Sequence, residues 1–402
     1  MRLLIADKFP ESYVQDFQSL GLEVTYLPDL DGEALALSAA DAHILVVRST
    51  KVTRAVIEKA RGLELVIRAG AGFDTIDVVA ASERGIFVAN CPGKNSVAVA
   101  ELTMGLLLAL DRRIAAQASD LTRGKWNKKE YGKADGLKGK TLGLAGSGPI
   151  AVAVAKRAAA FDLRVVMWSR SLTPERAAEL EVDFAPTLYD LAERSHIVSV
   201  HLAQTPETKR LFNADFFAHM GDGTIFINTS RGGLHDEAAL VAAMKERGLR
   251  AALDVYEGEP SGGTADFKSE LFSLPGFVGT HHVGASTEQA QNAIAHESVR
   301  ICREYVTRGH APNAVNIEKH SPAKVQLIVR HLDKVGVLAS VLGIIRNHGL
   351  NIEEMTNTIF EGSKAAVAVI RLSGIPDDSV VREIASLEDQ ILHVEAKAAR
   401  SP

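Results

Sequence analysis

Three side chains suited to moving a proton beside a carbonyl group follow one another in the second half of the chain. They are Arg231 in INTSRGGLHDE, Glu259 in LDVYEGEP and His282 in GTHHVGAST. A guanidinium is a planar fork that can grip a carboxylate with two parallel hydrogen bonds. An imidazole titrates near neutrality, so it can give a proton to a substrate oxygen and take it back. A carboxylate beside that ring orients it and stabilises its charged form. Taken singly, each has a structural reading: a surface or helix-capping arginine, a solvated loop glutamate, a satisfied histidine. What sets them apart is a shared position, each just past an apolar run that reads as a strand of a nucleotide-binding half.

That half is marked by Gly143-Leu144-Ala145-Gly146-Ser147-Gly148-Pro149-Ile150-Ala151. An apolar strand, Lys140 to Ala145, feeds an alanine-rich helix, Ile150 to Phe161. Gly146 and Gly148 permit a tight turn and close approach of backbone N–H groups to a pyrophosphate, and the helix N-terminus adds a favourable dipole. Ala151 stands at the third glycine of the fingerprint, in its permitted G/A form. Ser147, Pro149 and Ile150 complete the loop. After the second strand, at VVMWSRS (165–171), Ser169 occupies the place where NAD-binding chains usually carry an acidic residue for the ribose, and Arg170 follows. A carboxylate there would repel a 2′-phosphate, whereas serine and arginine would tolerate or grip one. NADP is therefore expected to be accepted, with NAD use open; Arg170 reads equally as a solvated loop cation.

The elements that must position these groups alternate. Strands are predicted at Arg2–Ala6, Glu23–Tyr26, Ile44–Val47, Leu65–Ile67 and Ile86–Ala89, with helices between, as in a parallel α/β unit. Val97–Asp111 reads as a long helix, apolar nearly all round, lying between two layers. Further strands at Arg164–Trp168, Ile197–Leu202, Thr224–Asn228 and Ala251–Val255 predict a second doubly wound sheet. Phe277–Thr280 and the helix after it are expected to return to the first lobe. The Val315–Ala323 stretch is a polar connector. Beyond it the order β (325–331), α (336–348), β (351–359), β (365–372), α (377–387), β (391–396) predicts a small ferredoxin-like domain. The expected fold class is α/β: two Rossmann-like or flavodoxin-like parallel-sheet lobes, 1–93 with 277–317 and 94–276, then a βαββαβ domain over 323–400.

Composition sets limits on function. The chain has 402 residues, 46% hydrophobic and 24% charged, with a formal net charge of −5. No basic field for nucleic acid appears, and no run reaches the roughly 18 apolar residues of a membrane span. The N-terminus lacks the apolar core of a signal peptide. Two cysteines, Cys91 and Cys302, are too few for a disulfide framework and point to a reducing cytoplasm. Cys91 reads as a small buried hydrophobe rather than a reactive thiol. No metal site is expected.

The stretches RAGAGFDTID (68–77), NSVAVAE (95–101), KGKTLGLAGSGPIA (138–151), NTSRGG (228–233), ALDVYEGEP (252–260) and HVGAST (282–287) together resemble the D-isomer-specific 2-hydroxyacid dehydrogenase family. The resemblance implies that Arg231, Glu259 and His282 form a catalytic triad and that Asp254 contacts the nicotinamide carboxamide. It implies further cofactor contacts at Thr205, Thr229, Ser230 and Gly284, beside Arg231 and His282. Arg48, Ser49, Arg68, Ala69, Gly70 and Asn95 match substrate positions, and Lys128 matches a lysine reaching the site across a subunit interface. The implied partners are a small 2-hydroxy or 2-oxo acid and a second copy of the chain, as a homodimer or homotetramer. Two departures stand out. His281 replaces the usual proline before the histidine, and register favours His282 as the acting ring. His235 replaces an aliphatic residue and is expected on a loop facing solvent or the rim of the site.

VRHLDKVGVLASVLGIIRNHGLNIEEM (329–355) resembles an ACT domain, a module that binds amino acids. That implies effector positions His331, Asp333 and Asn351, with L-serine the expected ligand, although Asp333 replaces the usual asparagine; pairing of chains is the plainer alternative. The extra domain that longer members insert before this module is expected to have no counterpart here. The implied reaction is interconversion of 3-phospho-D-glycerate and 3-phosphooxypyruvate in L-serine biosynthesis. The alternatives are NADPH-linked reduction of glyoxylate or hydroxypyruvate, and a non-catalytic dinucleotide-sensing scaffold.

Overall fold

The computed structural model describes residues 1–260, 264–318, 321–387 and 389–399. The chain divides into a unit ending at Asn316 and a second beginning at Ile317. Residues 319 and 320 of the expected connector, and residue 400 at the expected end of the last domain, lie outside the described residues.

The first unit holds two parallel sheets. Strands β1 (Arg2–Ile5), β2 (Glu23–Tyr26), β3 (Ile44–Val47), β4 (Leu65–Arg68) and β5 (Phe87–Asn90) stand in the order β2-β1-β3-β4-β5, the flavodoxin order. Every residue of β3 is buried, so ILVV reads as an unbroken apolar run, not an alternation; both faces of the strand are covered. The second sheet contains β6 (Thr141–Ala145), β7 (Arg164–Trp168), β8 (Asp183–Phe184), β9 (Ile197–Val200), β10 (Ile225–Asn228), β11 (Arg250–Leu253) and β12 (Phe277–Gly279). Their order is β12-β11-β10-β9-β6-β7-β8. The order reverses between β9 and β6, and the crevice at such a reversal is where dinucleotides bind in doubly wound sheets.

One boundary differs from expectation. β12 pairs in parallel with β11, so residues 277–279 belong to the second sheet and not to the first lobe. The return is made by the helix Glu288–Arg308, whose Ile294, Val299 and Cys302 pack with Leu3, Ile5 and Ile67. Pairing of a short strand such as FVG is decided by the neighbour it meets, which local sequence does not carry. The helix Ser96–Asp111 is buried through Ala100, Met104 and Leu107 against Val154, Ala155 and Ala158 of the helix Pro149–Ala159. It leaves one exposed stripe, Val97, Glu101 and Gly105. Both cysteines are buried in the first lobe, and burial pushes the Cys302 thiol up to about 12. The helix Ile114–Thr122, unanticipated from sequence, has no buried residue, and Trp126 beyond it is 81% exposed.

In the second unit β13 (Val325–Leu332), β14 (Ile352–Ile359), β15 (Ala365–Leu372) and β16 (Ile391–Ala398) form an antiparallel sheet ordered β14-β15-β13-β16. Helices Val337–Asn347 and Asp378–Ala385 cover it through Val341, Ile345, Val380 and Ile384. This is the βαββαβ arrangement. Among the described residues no helix is long and apolar enough to cross a membrane, and no cluster of potential metal ligands occurs.

At the end of β6 the chain squeezes between its neighbours. The Gly146 N–H donates to the Trp168 carbonyl at 2.7 Å, φ is +124°, and a Cβ would collide with the carbonyl of His201. Gly148, at φ −75°, caps the helix in open space. Gly146→Ala is expected to destabilise the chain by about 1 to 3 kcal/mol, and Gly148→Ala by less than about 1 kcal/mol. Urea unfolding of both variants checks this; equal losses would mean that the crossing at Gly146 is not the constraint.

Candidate active site

The second lobe brings its groups together through a buried carboxylate. Asp254, directly after β11, is 1% exposed. Its Oδ1 accepts from the Thr280 hydroxyl (2.6 Å) and the Val283 N–H (2.9 Å), and its Oδ2 from the Gly284 N–H (2.9 Å). The His282 N–H adds a bond to the Asp254 carbonyl at 2.8 Å. So held, His282 takes the left-handed conformation, φ 53°, which a non-glycine residue adopts only when its surroundings impose it. Its Nδ1 then meets Glu259 Oε1 at 2.5 Å.

Glu259 is fixed from its other oxygen by the Tyr256 N–H, at 3.2 Å. Partial burial works against its charge, yet the His282 hydrogen bond and charge, the Tyr256 N–H and the nearby Arg231 cation hold its carboxyl below the usual range. With Nδ1–H committed to a carboxylate, Nε2 of the half-exposed His282 ring is left to exchange a proton. His281 is exposed, and His282 is the ring that meets Glu259.

Arg231 follows β10. Its Nη1 donates to the Ser230 carbonyl at 2.7 Å, while Nε and Nη2 donate to Asp74 Oδ1 at 3.3 and 3.1 Å. Asp74 belongs to the first lobe, in the loop after β4. Beside it lies Arg68, whose guanidinium is held down to about 10 by burial and by the neighbouring Arg231 and Arg48 cations. Three guanidinium groups therefore converge from two lobes. In the first lobe Asp7 Oδ2 accepts the backbone N–H groups of Arg48, Ser49 and Thr50 at 2.6, 3.1 and 3.1 Å. Arg68 Nε and Asn95 Oδ1 are buried polar atoms without a protein partner. Ala69 is buried, and Gly70 leaves room that a Cβ would take from the Arg68 guanidinium.

The residues matched to the cofactor surround the crevice. The Ser147 and Ser169 hydroxyls lie 2.8 Å apart. Arg170 is exposed. No side chain caps the helix that begins at Pro149, so the N–H groups of its first turn, Ile150 included, present a dipole end suited to a phosphate. Ser230 Oγ donates to the Val200 carbonyl at 2.8 Å, and the Thr229 hydroxyl meets that of Thr103 at 3.1 Å. Thr205 hydrogen-bonds to Glu207. The Gly146 crossing, the open first turn and the polar strand ends fit a dinucleotide. Lys128, exposed on the short helix Lys128–Tyr131, lies beside Trp126 and Tyr131, and among the described residues no contact brings it to the triad. In the second unit His331 is 2% exposed, with Nδ1 bonded to the Leu332 carbonyl and Nε2 to Asn357. It is held inside the sheet, contrary to an effector-facing role, whereas Asp333 and Asn351 reach the surface.

Sequence reasoning missed Asp7, Asp74, Asn228 and Thr280, and misplaced His235. That ring is 0% exposed, packed against Phe226 at 5.9 Å between centroids. Its Nδ1 lies 3.1 Å from Asn228 Nδ2, which also donates to the Arg231 carbonyl at 2.9 Å. The parallel bridge of Phe212 to His235 carries the ring inward, which spacing alone does not reveal. A polar residue closing a strand end, as Asp7 and Asn228 do, was the one available signal.

Burial holds His235 down to about 4 and His201 down to about 3. Both are neutral when folded and regain 6.5 on unfolding. Below pH 6.5 the unfolded chain therefore binds more protons, and stability falls as the pH is lowered. For His235 the loss reaches about 3 kcal/mol near pH 4. His235→Val is expected to shrink the stability difference between pH 7 and pH 4.5 by roughly 2 to 3 kcal/mol in urea unfolding; unchanged differences would show that His235 does not titrate on unfolding.

Residues 104–284 match the family model for the D-isomer specific 2-hydroxyacid dehydrogenase, NAD binding domain. The chain is 39% identical over 347 residues to D-3-phosphoglycerate dehydrogenase of Methanocaldococcus jannaschii, covering 86% of this chain but 64% of that enzyme's length. It is 42% identical over 280 residues to hydroxypyruvate reductase of Thermotoga maritima, covering 69% of this chain and 89% of that one. Among solved structures, the TT0316 protein from Thermus thermophilus superposes with a TM-score of 0.70 at 34% identity, over 78% of this chain and 100% of that one.

Proposed function

We propose that this chain, which belongs to the D-isomer-specific 2-hydroxyacid dehydrogenase family, interconverts 3-phospho-D-glycerate and 3-phosphooxypyruvate, the reaction that opens L-serine biosynthesis. The observation that carries this reading is the convergence of Arg48, Arg68 and Arg231 beside the His282–Glu259 pair. One guanidinium suffices for the carboxylate of a simple 2-hydroxy acid. Two more are suited to a second anion, the phosphate. The 39% identical M. jannaschii relative named D-3-phosphoglycerate dehydrogenase supports the same substrate.

The nicotinamide cofactor, when bound, accepts or supplies the hydride at C2. Arg231 binds the substrate carboxylate and so orients C2. Nε2 of His282 takes the proton from the 2-hydroxyl in oxidation and returns it in reduction. Glu259 stabilises the imidazolium formed in between. The Asp254-bonded turn keeps the ring in place.

With Ser169 and Arg170 after β7, NADP is accepted beside NAD. The same pair, and the 42% identical hydroxypyruvate reductase of T. maritima, favour reduction of glyoxylate or hydroxypyruvate as the second reading. The second unit acts as an ACT domain, binding an amino acid, L-serine first, through Asp333 and Asn351. The exposed Ile114, Leu121 and Trp126 are suited to pairing two chains.

A panel of 3-phospho-D-glycerate, D-glycerate, glyoxylate and hydroxypyruvate, each with both cofactors, is expected to give the highest kcat/KM for the phosphorylated pair and measurable rates with NADP(H). A preference for an unphosphorylated acid favours the second reading, and a strong preference for NAD(H) removes the NADP assignment. His282→Ala is expected to lower kcat by about 10² to 10⁴; unchanged turnover would reassign the acid–base role. A non-catalytic dinucleotide-sensing scaffold predicts no turnover in either protein. Sedimentation velocity with and without L-serine is expected to give a dimer or tetramer mass, with serine raising Tm in the full chain but not in Asp333→Ala. A monomer, or no Tm change with any amino acid, would refute these two assignments respectively.

A further inference from the structure

We propose that Asp74 is a positioning residue for the dehydrogenase site: its carboxylate sets the Arg231 guanidinium so that one N–H on each Nη is left for the substrate carboxylate. This inference rests on the reading of Arg231 as the carboxylate-binding group.

A guanidinium has five N–H groups. Asp74 Oδ1 takes Nε–H and one N–H of Nη2, and the Ser230 carbonyl takes one N–H of Nη1. One donor remains on each Nη, and such a pair matches the two oxygens of a carboxylate. Without Asp74 the side-on edge, Nε with Nη2, is equally open, so the substrate has two ways to dock and only one is productive.

The loop around Asp74 is built for this contact. A Cβ at Gly72 would collide with Arg231 Nη2 and stand 2.8 Å from Asp74 Oδ1, so the missing side chain is the seat of the guanidinium. Its partial burial works against the charge of Asp74, but the Arg231 cation and its hydrogen bonds hold the carboxyl below its usual range. It is thus charged at neutral pH, and its field also acts on Arg68. The two partners come from different lobes, 157 residues apart, so the contact forms only when loop 70–74 and the end of β10 face each other. A fold-stabilising role is the lesser one, because Asp74 is more than half exposed and ion pairs of that kind contribute little to folding.

Steady-state kinetics of Asp74→Ala and Asp74→Asn, with whichever 2-oxo acid the unaltered chain turns over best, tests this. Asp74→Ala is expected to raise KM for that acid 10- to 100-fold, lower kcat no more than threefold and leave the cofactor KM within twofold. Asp74→Asn keeps an oxygen acceptor and is expected within fivefold of the original KM. A merely structural role would lower kcat with the folded fraction and leave KM alone. An unchanged KM in Asp74→Ala, or equal damage in both variants, overturns the proposal. A second readout needs no turnover: modification of Arg231 by p-hydroxyphenylglyoxal, followed by mass spectrometry, is expected to quicken at least threefold in Asp74→Ala while exposed Arg170 is unaffected. An unchanged Arg231 rate overturns it as well. Faster modification in a protein that turns over no 2-oxo acid would uphold the contact and sink the dehydrogenase reading instead.

Discussion

The site depends first on a carboxylate that meets almost no water. Asp254 is 1% exposed and accepts three hydrogen bonds from the 280–284 turn. A carboxylate buried without partners costs far more than one fully hydrogen-bonded, so the turn has one arrangement that satisfies Asp254 and strong penalties for others. That arrangement puts His282 at φ 53° and its ring against Glu259. The local strain is offset by the bonds of Asp254, and the geometry of the His282–Glu259 pair follows from it.

The same device recurs in the first lobe. Asp7 follows β1 and gathers the N–H groups of Arg48, Ser49 and Thr50 on one oxygen, as Asp254 follows β11 and gathers those of Val283 and Gly284. Each lobe thus uses an aspartate at a strand end to shape the loop that follows a neighbouring strand. Parallel strands make this possible, because all their C-terminal ends lie on one side and their loops share one rim.

Exposure divides the site in two. The groups that would meet a substrate, His282 and Arg231 among them, retain access to solvent. The groups that hold them, Asp254, Asn228 and His235, are at most 1% exposed. Asn228 bonds the Arg231 carbonyl and His235 through one amide nitrogen and the Ser230 N–H through its oxygen, so the Arg231 loop hangs on a buried polar network. Such networks rigidify strongly when satisfied and cost stability where they are not. His235 Nε2, buried without a partner, marks where that cost falls.

Much of this was legible in the sequence. Apolar runs such as ILVV (44–47) and LVI (65–67) fall where β3 and β4 stand, because strands buried on both faces must be apolar along their buried length. Gly146 and the positions of Arg231, Glu259 and His282 at strand ends were readable for the same local reason, and the βαββαβ order of the last domain came from alternation and turns. The tertiary structure alone decided that β12 joins the second sheet, that His235 and His331 turn inward, and that Asp74 crosses from one lobe to Arg231 in the other. Those facts depend on which surfaces meet after folding. Spacing along a chain records the period of a helix or strand, but the partner of a side chain 157 residues away is set by packing, which no local pattern encodes.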